Sequence, residues 1–196
     1  SRNRGRGARR CGVEGVSVAV GWVVLVVAGS AFARMATGGT VMPAAYDDYV
    51  KANGYLQRYD RGGIDAAIRL FQEAVRRDPN YALAYAGLGE AYWTKYVHTK
   101  DAQYLEQARA QTEQAISRNA ALASPHITLG AISIAMGQKE GAVTQLREAI
   151  RLDPVNAAAY RELGKAFLAQ RKPAGAGEVY KKAIQLRPKF WLGYNA

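Results

Sequence analysis

Cysteine occurs once in the 196 residues, at Cys11, and histidine twice, at His98 and His126. One thiol cannot build an internal disulfide framework, and so few Cys and His leave no zinc-ligand spacing. Phosphate-binding glycine loops, nucleophile elbows and zinc-protease helices are also missing. No catalytic residue, cofactor or metal is therefore assigned, and an enzyme is not expected within this chain. What glycine and acid there is reads as architecture. Gly62-Gly63 fits a turn between helices, and Asp78-Pro79 and Asp153-Pro154 fit helix stops.

Acidic residues are outnumbered, 16 against 27 basic, for a net charge of +11. The excess is uneven. Residues 1–34 carry Arg2, Arg4, Arg6, Arg9, Arg10 and Arg34 against Glu14, a net of +5. The remainder carries 21 basic and 15 acidic residues, a net of +6, so the body of the chain is only mildly basic. Residues 1–14 form an Arg/Gly-rich arm that has nothing to bury and is expected to be disordered. Residues 15–33, GVSVAVGWVVLVVAGSAFA, hold no charge. As a helix they would span about 28 Å, close to the hydrocarbon thickness of a bilayer. A transmembrane helix over 15–34 is expected. The five arginines before it place the N-terminus in the cytoplasm and the rest of the chain outside. The alternative is a signal peptide cleaved near Ala33, after Ala31-Phe32-Ala33, leaving a secreted or periplasmic protein. Because the arm's charge is explained by topology, no nucleic-acid partner is expected. Residues 35–45 read as a linker with Gly38-Gly39 and Pro43 as breakers.

The remaining stretch, 46–196, repeats. Tyr160, Leu163, Gly164 and Phe167 share one helical face, and Ala176, Tyr180 and Ala183 share another before Pro188 stops the second helix. Leu129, Gly130, Ala142, Ala149, Ile150, Leu152 and Pro154 form the same ladder earlier in the chain, at one constant offset from Leu163, Gly164, Ala176, Ala183, Ile184, Leu186 and Pro188. His126 takes the aromatic slot of Tyr160 and Tyr85, so it is read as a packed core residue. The ladder and its period of about 34 residues resemble the tetratricopeptide repeat, a helix–turn–helix unit. The resemblance implies an all-α solenoid, a right-handed superhelix in which each pair covers its neighbour's apolar face. The repeats run at about 46–81, 82–122, 123–156 and 157–190, with a partial fifth at 191–196. The step from Leu88 to Leu129 exceeds the period by seven positions, and the surplus falls near Thr94–Lys100 as a longer loop or extra helical turn.

In such a stack the first helices line a concave groove. Trp93 follows Tyr92 and so points away from the packed stripe of Tyr85, Leu88 and Tyr92. By the same geometry the first repeat offers Lys51, Tyr55 and Arg58, the second Glu90 and Trp93, the third Ile127 and Ile134, and the fourth Arg161 and Lys165. An aromatic group with scattered cations suits a protein or peptide segment. Arg161 and Lys165 match part of the family's carboxylate clamp, but Glu90, Ile127 and Ala131 do not, so that specificity is not carried over.

Three phrases extend the resemblance: YALAYAGLGEAYWTKY at 81–96, TKD at 99–101 and FWLGYNA at 190–196. With the Arg-rich single span before them, they look like the repeat region of some bacterial serine/threonine protein kinases and related signalling proteins. The expected function is a membrane-tethered scaffold, part of a larger bacterial protein. Its alternative is the non-catalytic sensor region of a membrane kinase whose kinase domain lies outside this chain. The expected partners are a protein or peptide in the groove and a lipid bilayer through 15–33.

Overall fold

A computed structural model describes residues 41–57 and 61–187. The basic arm, the apolar segment 15–33, Arg58, Tyr59 and the partial fifth repeat lie outside the described residues. Among those described, no helix is long and apolar enough to cross a membrane.

The described residues form eight helices and no strand. They pair as α1 (Pro43–Leu56) with α2 (Arg61–Arg77), α3 (Ala82–Thr99) with α4 (Ala102–Arg118), α5 (Ala123–Ala135) with α6 (Lys139–Leu152), and α7 (Ala157–Ala169) with α8 (Pro173–Leu186). Within each pair the two helices make the densest contacts. Each second helix also packs on the first helix of the next pair. Successive first helices α1, α3, α5 and α7 touch one another, whereas successive second helices make no comparable contact. The first helices are therefore the inner layer and the second helices the outer one.

Local chemistry sets the boundaries. Pro43 starts α1 instead of breaking the chain before it: at the first helical position its missing N–H would have no partner anyway. The linker thus ends three residues earlier than the sequence pattern suggested. Likewise Arg61–Gly63 begin α2 rather than forming a turn. Asp101 caps α4 by accepting from Gln103 N at 2.9 Å, and Asn156 caps α7 by accepting from Ala158 N at 3.1 Å.

Three hairpin turns contain a left-handed residue: Lys100 (φ 58°), Gly137 (φ 75°) and Arg171 (φ 61°). Gln138 N donates to Ser133 O at 2.8 Å and Lys172 N to Phe167 O at 2.9 Å, closing α5 and α7 in the same way. Arg171 thus occupies, one period later, the slot that glycine fills at Gly137. A side chain there costs about 1 kcal/mol. Arg171→Gly is expected to raise the unfolding free energy by roughly 0.5–1 kcal/mol, read by urea denaturation followed by circular dichroism; an unchanged midpoint would contradict the shared slot.

The surplus in the second repeat is helix. α3 has 18 residues where α5 has 13, and α4 has 17 where α6 has 14, while the turn between them, 100–101, is one residue shorter than 136–138. Five and three more, less one, account for the seven. The extra turns lie at the end of α3 and in α4.

The glycines of the first helices show how the register is held. A Cβ on Gly130 would lie 2.5 Å from Leu146 Cγ, one on Gly164 2.5 Å from the Tyr180 ring, and one on Gly89 2.3 Å from Thr112 Oγ1. Leu146 and Tyr180 follow their glycines at the same spacing, and Thr112 follows Gly89 at that spacing plus the seven extra positions. These glycines are sockets for a side chain of the partner helix. Gly89 also has backbone atoms among its nearest neighbours, Thr112 N at 3.1 Å and Ala108 O at 3.3 Å. Gly54, near the corresponding place in the first repeat, meets nothing within 4 Å and is no socket. There Phe71, fully buried on α2, reaches forward to Gly87 of the next repeat.

Core clusters reach across repeat boundaries. One cluster joins Ala52 and Leu56 of α1, Ile64, Ala67, Ile68 and Phe71 of α2, Leu88, Ala91 and Tyr92 of α3, Ala108 of α4 and Ile132 of α5. A second joins Ala142, Val143 and Leu146 of α6 to Leu163 and Ala166 of α7. His126 is buried, with Nδ1 2.8 Å from the Gln145 amide oxygen and Nε2 3.3 Å from Ala120 O, the packed role read from its slot.

Candidate functional site

The inner face is built from three helices in register. Residues at i, i+4 and i+7 share one side of a helix. On α7 these are Arg161, Lys165 and Leu168; one period earlier on α5 they are Ile127, Ala131 and Ile134; on α3 they are Ala86, Glu90 and Trp93. Because α3, α5 and α7 lie side by side, equivalent positions form columns running across the repeats. One column is Trp93, Ile134 and Leu168. The next is Glu90, Ala131 and Lys165.

The apolar column is only part-covered. Leu168 is 50% exposed. Trp93 and Ile134 are half-buried, each resting one side on a core cluster. Ile127 is half-buried on the second cluster too, so the third repeat's contribution is floor as much as open surface. Trp93 also sets its ring 5.5 Å from that of Tyr96. Val97, one turn further along α3, is exposed and extends the strip. Sequence reasoning missed Leu168 and Val97. The signal available for the first was the period itself, since Leu168 stands one full repeat after Ile134.

The charged positions divide by end. Glu90 is exposed, yet surrounding protein displaces enough water that loss of solvation pushes its carboxyl above the usual carboxylate range. Among the described residues the Glu90 carboxylate has no ion pair or side-chain hydrogen bond; Thr94 Oγ1 donates to its backbone carbonyl instead. At the other end, Lys165 Nζ lies 2.9 Å and Arg161 Nε 3.2 Å from Glu162 Oε1. Glu162 is buried and its carboxylate meets two cations, which offset the loss of water around it. Glu162 was not among the residues singled out from sequence, though its place three before Lys165 is the spacing of a helical ion pair.

Lys51 and Tyr55 are exposed on α1, one turn apart, with Tyr55 38% exposed. The structure thus brings Glu90, Trp93, Ile134, Arg161 and Lys165 onto one inner layer, and Lys51 and Tyr55 onto its first helix. Arg58 lies outside the described residues.

A cleft of about 320 Å³ opens elsewhere, between α2 and the extended end of α3, lined by Ile64, Asp65, Lys95, His98 and Thr99. Its charges are already satisfied. Lys95 Nζ lies 2.7 Å from Asp65 Oδ1 and 4.4 Å from the centre of the Tyr104 ring. It braces the added turns of α3 against α2 and α4.

The desolvation of Glu90 sets a pH dependence. Its folded pKa is raised, so below the unfolded carboxylate range both states hold the proton and nothing is lost. As pH rises above that range the unfolded chain releases the proton first, and stability falls until pH passes the folded value. Glu90→Gln removes this loss. Its melting temperature is expected to exceed the parent's at pH 7 and to match it near pH 3, measured by thermal denaturation at both pH values. A variant less stable than the parent at pH 7 would show that the carboxylate is compensated.

Comparison with known families agrees with the period. A profile described as tetratricopeptide repeat matches residues 130–189, and one described as TPR repeat matches 56–95. The chain belongs to the tetratricopeptide-repeat family. None of the curated proteins matches it. Among solved structures, one from a functional characterisation of Pseudomonas aeruginosa pilF is 25% identical, with a TM-score of 0.62, covering 74% of this chain and 62% of that one. MamA is 26% identical with a TM-score of 0.52, covering 65% of this chain and 71% of that one. The first TPR of Spaghetti (RPAP3), bound to the HSP90 peptide SRMEEVD, shares the fold at 22% identity and a TM-score of 0.55, covering 68% of this chain and 99% of that one.

Proposed function

We propose that this tetratricopeptide-repeat array is a scaffold that holds an extended segment of a partner protein against its inner face. The observation that carries the reading is the part-exposed strip of Trp93, Ile134, Leu168 and Val97 on helices that pack side by side. A neighbour of the same fold, the first TPR of RPAP3, holds a peptide, which supports a peptide ligand here. The test is affinity capture with the full chain and with Leu168→Glu, a change at a half-exposed position. Loss of the captured partner with an unchanged melting temperature is the expected result. Equal recovery would remove the inner face from the reading.

The same proposal has the array outside the cytoplasmic membrane, tethered by residues 15–33. The charge-free run and the arginines before it support this. Within a longer protein of the kinase type that the phrases at 81–96, 99–101 and 190–196 resemble, the array would be the interaction region. Membrane fractionation with protease protection tests the location: retention in the membrane with a protease-accessible array on the outer side is expected. Release into the soluble fraction, with the N-terminus at about Arg34, would favour a cleaved signal peptide.

A further inference from the structure

We infer that the groove selects an extended segment with apolar side chains at every third position, a basic residue over α3 and an acidic residue over α7. This rests on the groove reading and specifies its ligand. Packed helices lie about 8–10 Å apart. An extended chain in the polyproline-II form has three residues per turn and rises about 3.1 Å per residue, so three residues cover about 9 Å, one step from α3 to α5 or from α5 to α7, and side chains three apart share one side. Trp93, Ile134 and Leu168 each offer one apolar contact per step, in a single column. Side chains at i, i+3 and i+6 of the ligand meet them in turn.

The second column sets the charge order. Ala131 in the middle is small and buried, so it admits the ligand's backbone without adding charge. Glu90 at one end is an exposed carboxylate with no partner among the described residues, in surroundings poor in water. A ligand ammonium or guanidinium there supplies the missing counter-charge. Lys165 at the other end keeps about half of its side chain in solvent, and the carboxylate it meets, Glu162, is shared with Arg161. With about half of its side chain in solvent, the Lys165 ammonium can also meet an acidic ligand group beside Glu162. The sequence of groups across the groove is therefore acid, apolar strip, base, and the ligand's order is its complement. This differs from a site that grips only a terminal carboxylate, because both ends of the groove take part.

Fluorescence anisotropy with the full chain tests the inference. Two labelled peptides carry leucine at every third position, with lysine at one end and glutamate at the other, in the two chain directions. A third has the same composition with leucines at alternate positions. One of the two directions is expected to bind at least about tenfold more tightly than the third peptide. In the double variant Glu90→Lys, Lys165→Glu the preference between the two directions is expected to reverse. Glu90→Lys alone, at an exposed position, is expected to reduce that preference if the double variant fails to fold. Affinity that ignores the leucine spacing but is lost in Leu168→Glu would overturn the spacing rule and leave the groove reading standing. Affinity unchanged in Leu168→Glu would overturn both. A preference that survives charge exchange would overturn the charge order.

Discussion

Phe71→Ala is expected to lower the unfolding free energy by about 3–5 kcal/mol, the usual cost of truncating a buried aromatic residue. Phe71 is fully buried and belongs to the cluster that joins α1, α2, α3, α4 and α5. Its ring lies 5.9 Å from that of Tyr49 within its own repeat and fills the space above Gly87 of the next. Alanine there leaves a cavity bordered by two repeats, and Gly87 has no side chain with which to close it. Stability in an array is a sum of repeat and interface terms. Losing this one interface is therefore expected to split the urea transition, with the first hairpin unfolding before the other three. Circular dichroism alongside Tyr and Trp fluorescence would show the two phases. A single transition shifted by less than about 1 kcal/mol would mean that the first repeat is not coupled through Phe71.

Gly89→Ala carries the second large effect. A methyl group at Gly89 meets Thr112 Oγ1 at 2.3 Å, and that hydroxyl is fixed by its 2.7 Å bond to Ala108 O. The backbone of α4 stands at 3.1 and 3.3 Å, so α3 and α4 must separate. Overpacking costs about 1–3 kcal/mol, and about 1 kcal/mol of helix propensity is recovered. A net loss of up to about 2 kcal/mol is expected. Gly177 in α8 supplies the contrast, because nothing lies within 4 Å of a Cβ placed there. Gly177→Ala is expected to gain about 0.5–1 kcal/mol from propensity alone. The pair separates a packing glycine from an incidental one, by urea midpoints. Equal signs for the two changes would contradict the socket description.

The repeat ladder made the hairpins legible because burial repeats with the period: Leu163, Ala176 and Ala183 are buried where their spacing put them. The Asp153-Pro154 pair located the helix stop at Asp153. What the spacing hid was the identity of the glycines' neighbours. The ladder placed Gly164 and Gly130 in matching slots, but the group that approaches each is a side chain, Tyr180 or Leu146, which only the packed helices reveal. The surplus in the second repeat could be counted from sequence but not shaped. It is helix, and there Lys95 meets Asp65 on α2 and Tyr104 on α4, partners that only folding brings to it.

The inner face was legible in part. Glu90, Trp93, Arg161 and Lys165 follow from helical phase. Glu162 did not, since its burial depends on two cations that reach back over it. Ile127 and Ile134 look like groove residues by phase, yet each is shared with the cluster below. Phase gives direction from a helix axis; depth depends on how closely the next helix packs.

Site-specific photo-crosslinking tests the inner face most directly. A benzophenone amino acid is placed at Leu168 on α7 in one full-length protein and at Arg147, an exposed outer position on α6, in another. Both positions reach solvent, and the comparison turns on which layer each occupies. The expected result is a crosslinked partner from position 168 and none from position 147. Equal crosslinking from both, or a product from position 147 alone, would contradict a partner held along the first helices.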